Sequence, residues 1–139
     1  MRFAALQILL VLAWLTGPYA VDAAPSSPIG VWANPKHTVN VRAEACRERL
    51  CGTIIHASPS ALEAARAKGV TSLIGTRVFQ DMEFRSNGLW GGKLYVPDLG
   101  GRFASTLRLL DDNRLEVKGC VLSGLICKSQ VWTRITSPD

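Results

Sequence analysis

The chain has 139 residues, 47% hydrophobic and 19% charged, with a formal net charge of +5. That length is one domain's worth, and that balance excludes a disordered tail or a low-complexity linker. The basic residues stand singly between apolar ones instead of grouping with aromatics along one element, so no nucleic-acid partner is expected.

Met1-Arg2 opens the chain with positive charge, and Phe3 to Leu15 is apolar apart from Gln7. Thr16-Gly17-Pro18 breaks any helix there, and small residues follow through Val21-Asp22-Ala23-Ala24. Charge, apolar run and small-residue site in that order read as a secretory signal peptide, residues 1–23, cut after Ala23. The apolar run is shorter than the roughly 20 residues that a membrane span needs. No membrane span is expected after signal cleavage, and residues 24–139 are expected to form a single domain in a periplasmic or secreted setting.

Pro25, Ser26, Ser27 and Pro28 lead into the structured part, which opens at Ile29-Gly30-Val31-Trp32. From Thr38 to Ala43 the residues alternate, with Val39, Val41 and Ala43 on one face, as a half-buried strand requires. Leu50 to Ala57 reads as a second strand, and the adjacent Ile54 and Ile55 suggest that both its faces are covered. Residues 60–68 are the only helical stretch, with Ser60 as the expected cap, Glu63 three residues on, and Gly69 as the stop. At about two turns this helix cannot stand alone. Thr76 to Phe84 and Leu89 to Val96 read as strands around an Asn87-Gly88 hairpin turn, whose residues supply the positive φ of a type I′ turn. Gly91-Gly92 weakens or bulges the second of these. Arg102 to Leu110 places Phe103, Leu107 and Leu109 on one face, and Arg114 to Cys120 places Leu115 and Val117 inward. Cys127 to Ile135 closes the chain.

Seven or eight short strands joined by hairpin-length turns make an all-β, antiparallel up-and-down meander. Closure into a small barrel removes the exposed edges that such a meander would otherwise present. An open sandwich is the alternative.

Cys46 and Cys51 form one close pair of cysteines and Cys120 and Cys127 another. The spacings do not match the common zinc patterns, and the signal peptide points to an oxidising compartment. Three pairings are formally possible. Each close pair flanks a turn between strands, so Cys46–Cys51 and Cys120–Cys127 are the simplest disulfides, and no metal is expected.

The residues give no support for catalysis. His37 and His56 stand in no metal-binding pattern, no nucleophile elbow occurs, and no phosphate-binding glycine loop precedes a helix. Asp81 and Glu83 alternate on one strand face, where Arg77 and Arg85 balance them as solvated charge. No cofactor is expected.

Three tryptophans remain beyond the signal: Trp32, Trp90 and Trp132, on the first, middle and last strands. On the last strand Lys128, Gln130, Trp132 and Arg134 share one face. In a hollow barrel, Trp32, Trp90, Tyr95 and Trp132 would line or rim a cavity, with Gly91 and Gly92 leaving room for close approach. Lys128 and Arg134 would then orient an anionic head group at the mouth.

Gly30-Val31-Trp32, Leu50-Cys51-Gly52-Thr53-Ile54, the run from Trp90 to Asp98, the run from Leu115 to Cys120, and Trp132-Thr133-Arg134 together resemble one bacterial secreted family, domain of unknown function 2147. The resemblance covers essentially everything after residue 23 and implies a small β-barrel similar to lipocalin or calycin barrels. Phe103 stands where a tyrosine is expected, and the helical stretch at 60–68 replaces a plainer loop. The family has no established reaction, so no catalytic residue carries over. The expected function is a non-enzymatic binding or accessory module for a small apolar or amphipathic ligand. The alternative is a structural or protein-interaction module with a filled barrel, working through an envelope protein partner.

Overall fold

Inward-pointing residues at every second position mark several strands: Val41 and Ala43 on one, Leu107 on another, Leu115 and Val117 on a third, all buried. The computed structural model describes residues 27–136, together with Gly17. Apart from that glycine, the signal-peptide reading of residues 1–23 lies outside the described residues.

The strands are β1 (Gly30–Ala33), β2 (Val39–Cys46), β3 (Arg49–Ala57), β4 (Arg77–Ser86), β5 (Leu89–Val96), β6 (Gly101–Asp111), β7 (Arg114–Val121) and β8 (Ile126–Ile135). They pair in chain order and close into a barrel, β1 against β8. The closing seam is short, with Val31, Trp32 and Ala33 opposite Ile135, Arg134 and Thr133. Connections therefore alternate between the two ends. One end carries the β1–β2, β3–β4, β5–β6 and β7–β8 connections; the other carries the hairpin turns and the start of β1.

Helix α1 (Pro59–Ala67) lies in the β3–β4 connection. Its cap is Ser58, whose Oγ accepts from the Ala61 backbone N–H at 3.2 Å, and not Ser60 as the sequence suggests. Pro59 explains the shift, since its fixed φ and missing N–H suit the first helical position. Gly69, at φ +81, follows the end of the helix.

Register shifts in four of the strand pairings adjust the wall, and two of them bear on the site. Val41 pairs with Ile54 and Asn40 with His56, leaving Ile55 as the extra residue. The Ile54–Ile55 adjacency thus marks a bulge, with Ile54 buried and Ile55 half-buried, instead of two covered faces. In β4, Gln80 pairs with Lys93 and Glu83 with Gly91, so Asp81 and Met82 together face Gly92. Asp81 takes φ +51 there. Glu83 is bound by Arg49 at 3.0 Å, and Arg85 lies 4.0 Å away.

The hairpin end is packed solid. Trp32, Leu50, Phe79, Met82, Leu107 and Leu115 are fully buried. Arg134 seals this end: Nε donates to Asp112 O at 2.5 Å, Nη1 to Ile29 O and Nη2 to Ser27 O, both at 2.7 Å. Its guanidinium lies 4.3 Å from the Trp32 ring centroid, within range of a cation–π attraction. Trp32 Nε1 donates to Pro28 O at 2.8 Å. Nearby, the Asp111 carboxylate accepts from Arg114 Nε at 2.7 Å and from the Asn113 backbone at 2.9 Å, which holds its carboxyl below the usual range.

Cys46 is bonded to Cys51 across the β2–β3 hairpin, and Cys120 to Cys127 across β7 and β8. Both pairings match the sequence expectation.

Candidate ligand cavity

The half of the barrel opposite Arg134 holds a cavity of about 830 Å³, within the 300–1,000 Å³ usual for small-molecule sites. Val41, Ile54, Val78, Val117 and Trp132 form its floor; Val39, Leu73, Leu94 and Phe103 form much of its wall. Helix α1 adds Ser60, Ala61 and Ala64 at one side. Lys36, Tyr95, Asp98, Leu99, Ile126 and Lys128 stand among the residues nearer the opening.

The β1–β2 connection is prefolded at this rim. Asn34 Oδ1 accepts from the backbone N–H groups of Thr38 at 2.8 Å and Val39 at 3.0 Å, and its Nδ2 donates to Thr38 Oγ1 at 3.0 Å. An asparagine bonded forward to its own backbone makes a side-chain-closed turn. It fixes Lys36 and the left-handed His37 in between.

Strand β8 inverts the usual amphipathy. Lys128, Gln130 and Trp132 line the cavity, while Val131 lies on the outer face and is exposed. Trp132 is buried, its ring centroid 5.7 Å from that of Phe79, and its Nε1 donates to Gln130 Oε1 at 3.1 Å. A cation and an amide turned into a barrel stay favourable only where water or a polar ligand group reaches them. The arrangement can therefore receive an apolar body below and an anionic group near Lys128 and Lys36. Among the described residues, no group of three or more His, Cys, Asp or Glu is placed to hold a metal, and no helix is long and apolar enough to cross a membrane.

The family described as "Uncharacterized protein conserved in bacteria (DUF2147)" matches residues 30–134, which is nearly the whole barrel. The chain belongs to this family. No curated protein matches it. Among solved structures, the chain is similar to protein HP1028 from Helicobacter pylori, described as belonging to the lipocalin family. The TM-score is 0.62 at 12% identity, over 80% of this chain and 84% of that one. At that identity the likeness establishes a shared fold, an eight-stranded lipocalin-like barrel.

In this DUF2147 barrel the six candidate residues divide. Tyr95, Lys128 and Trp132 line the cavity. Trp32 and Arg134 are locked together at the packed end, so Arg134 stands at a seal and not at the mouth. Trp90 pairs edge-on with Phe84 at 5.3 Å on the β4–β5 hairpin and packs against the core, outside the cavity lining. Gly92 leaves no room for a ligand: a Cβ there would sit 2.7 Å from Gln80 O and 2.8 Å from Asp81 O, because the β4 bulge presses in over it. Gly91 lies under the Arg85 guanidinium.

Sequence reasoning overlooked Lys36 and the Asn34 turn. The Asn34-Pro35 dipeptide was the available signal, since such pairs favour turn initiation. Phe103, expected on the face shared with Leu107 and Leu109, lines the cavity. The missing hydroxyl leaves this stretch of cavity wall apolar.

Proposed function

We propose that this DUF2147 protein binds one small amphipathic molecule, with an apolar body in the barrel and an anionic end at the mouth. One observation carries the reading: a cavity with an aliphatic and aromatic floor whose lining charges, among the described residues, are Lys36, Lys128 and Asp98. A few placed polar groups in an apolar pocket fix a ligand's orientation. Trp132 forms the contact floor, Tyr95 and Gln130 offer hydrogen bonds, and Lys128 and Lys36 receive the anionic end. No catalytic role is assigned to any residue. The cavity weighs against the alternative of a filled barrel acting only through its surface. The signal-like start of the chain and the two disulfides support a secreted or periplasmic site of action.

Native mass spectrometry of protein secreted by its bacterial host tests the reading. A co-purified amphipathic anion, present at one per barrel and lost from Lys128→Glu, is expected. Empty barrels that also refuse added fatty acids would remove the proposal.

A further inference from the structure

The mouth of the cavity carries an apolar tip that the ligand reading does not use. The connection from Val121 to Ile126 projects past the Cys120–Cys127 disulfide that closes its neck. Leu122 is 64% exposed, Leu125 84% and Ile126 52%, and Leu99 on the neighbouring β5–β6 connection is 69% exposed. Leu99 and Ile126 also line the cavity, so apolar surface runs unbroken from the cavity wall to the outside.

The backbone of this tip is built against local preference. Leu122, Ser123 and Gly124 take φ values of +52, +55 and +89 in succession. Asparagine or glycine would adopt the first of these conformations at less cost than leucine. The chain keeps a leucine there and points it at solvent.

We propose that the barrel mouth docks on an anionic lipid bilayer, with the Leu122–Ile126 tip and Leu99 entering the interfacial layer. Aliphatic residues at the tip suit the headgroup–acyl boundary, and nearby cations suit an anionic surface. The charges at the two ends support this choice. Connections at the mouth end carry Lys36, Arg66 and Lys68 against Glu63 and Asp98, whereas those at the hairpin end carry Arg47 against Glu48 and Asp112. A second copy fits less well, since two mouths face to face would oppose Lys36 and Lys128 to themselves. A stable protein interface needs some 20–30 residues a side, far more than this tip offers. A bilayer accepts a small apolar wedge without needing a matching shape. Docked in this way, the cavity would open onto the lipid, giving a sparingly soluble ligand a route that avoids bulk water. That route rests on the ligand reading; the docking does not.

The test is flotation of the secreted protein with vesicles of phosphatidylglycerol and phosphatidylcholine, compared with vesicles of phosphatidylcholine alone. Wild type should float with the anionic vesicles at low salt and much less with the neutral ones. Leu125→Asp should lose at least about tenfold in partitioning, whereas Leu110→Asp, an exposed leucine near the hairpin end of β6, should not. Fatty-acid titration of Leu125→Asp without vesicles separates the two proposals, because cavity binding should survive. Docking is overturned by wild type that stays with the soluble fraction or by Leu125→Asp that floats like wild type. It is equally overturned if the tip drives self-association in sedimentation and Leu125→Asp abolishes that instead.

Discussion

Arg134→Ala should open the packed end of the barrel and cost more than an ordinary surface substitution. The side chain holds three backbone carbonyls from two separate stretches of the chain, Ser27 and Ile29 in one and Asp112 in the other, and covers Trp32. Hydrogen bonds to a charged group are worth roughly 1.5–3 kcal/mol each when buried. These bonds are exposed and water replaces part of each, so about 0.8 kcal/mol applies to each of the three, within the ordinary net range. Counting about 0.5–1 kcal/mol for the Trp32 contact, the loss is about 3 kcal/mol. For a domain of this size that is a fall in Tm of about 12 °C, taking roughly 4 °C per kcal/mol. Thermal unfolding followed by circular dichroism reads the value directly. Arg134→Lys should recover less than half, because one ammonium cannot reach three carbonyls in the fork geometry of a guanidinium. Hydrogen exchange should place the loosening at the three-pair seam between β1 and β8. A loss below about 1 kcal/mol for Arg134→Ala, or exchange that rises first elsewhere, would refute this account of the seal.

Gly92→Ala should destabilise by more than about 2 kcal/mol, since its Cβ would meet the Gln80 and Asp81 carbonyls, while Gly119→Ala, whose Cβ would sit 3.5 Å from Leu94, should be tolerated; chemical denaturation of both variants checks the contrast. Replacing Cys120 and Cys127 together by serine should cost about 2–2.5 kcal/mol on the chain-entropy estimate for a short loop, and peptide mapping without reductant should recover only the 46–51 and 120–127 pairs. Ser105 faces inward between Gly92 and Gly119, and its buried hydroxyl makes no hydrogen bond among the described residues. Ser105→Ala should therefore leave stability unchanged or raise it by up to about 1 kcal/mol in denaturant titration.

Most of the wall was legible from alternation, because a barrel strand with one buried face keeps a period of two between its bulges. The cysteine spacing was informative for a related reason: both pairs flank the turns that bring their strands together. Legibility ended where one strand presses on another. Gly91-Gly92 reads as open space, yet the β4 bulge at Asp81 fills it, and nothing in β5 itself records that intrusion. Lys128 and Arg134 share a face of β8 and look like two cations of one site. They lie six residues apart, or about 20 Å at the usual rise, and that distance assigns one to the cavity and the other to the seal. The helix cap moved by two residues because Pro59 suits the first helical turn better than the sequence around Ser60 suggests.

On the proposed function, the cavity above Trp132 takes an amphipathic anion oriented by Lys128. Titrating the protein with a medium-chain fatty acid while following tryptophan emission tests it most directly. A saturable change at one ligand per barrel is expected, abolished by Trp132→Phe and weakened at least about tenfold by Lys128→Glu, with Trp90→Phe leaving it intact. A change that persists in Trp132→Phe and vanishes in Trp90→Phe, or no saturable change for any chain length, would contradict it.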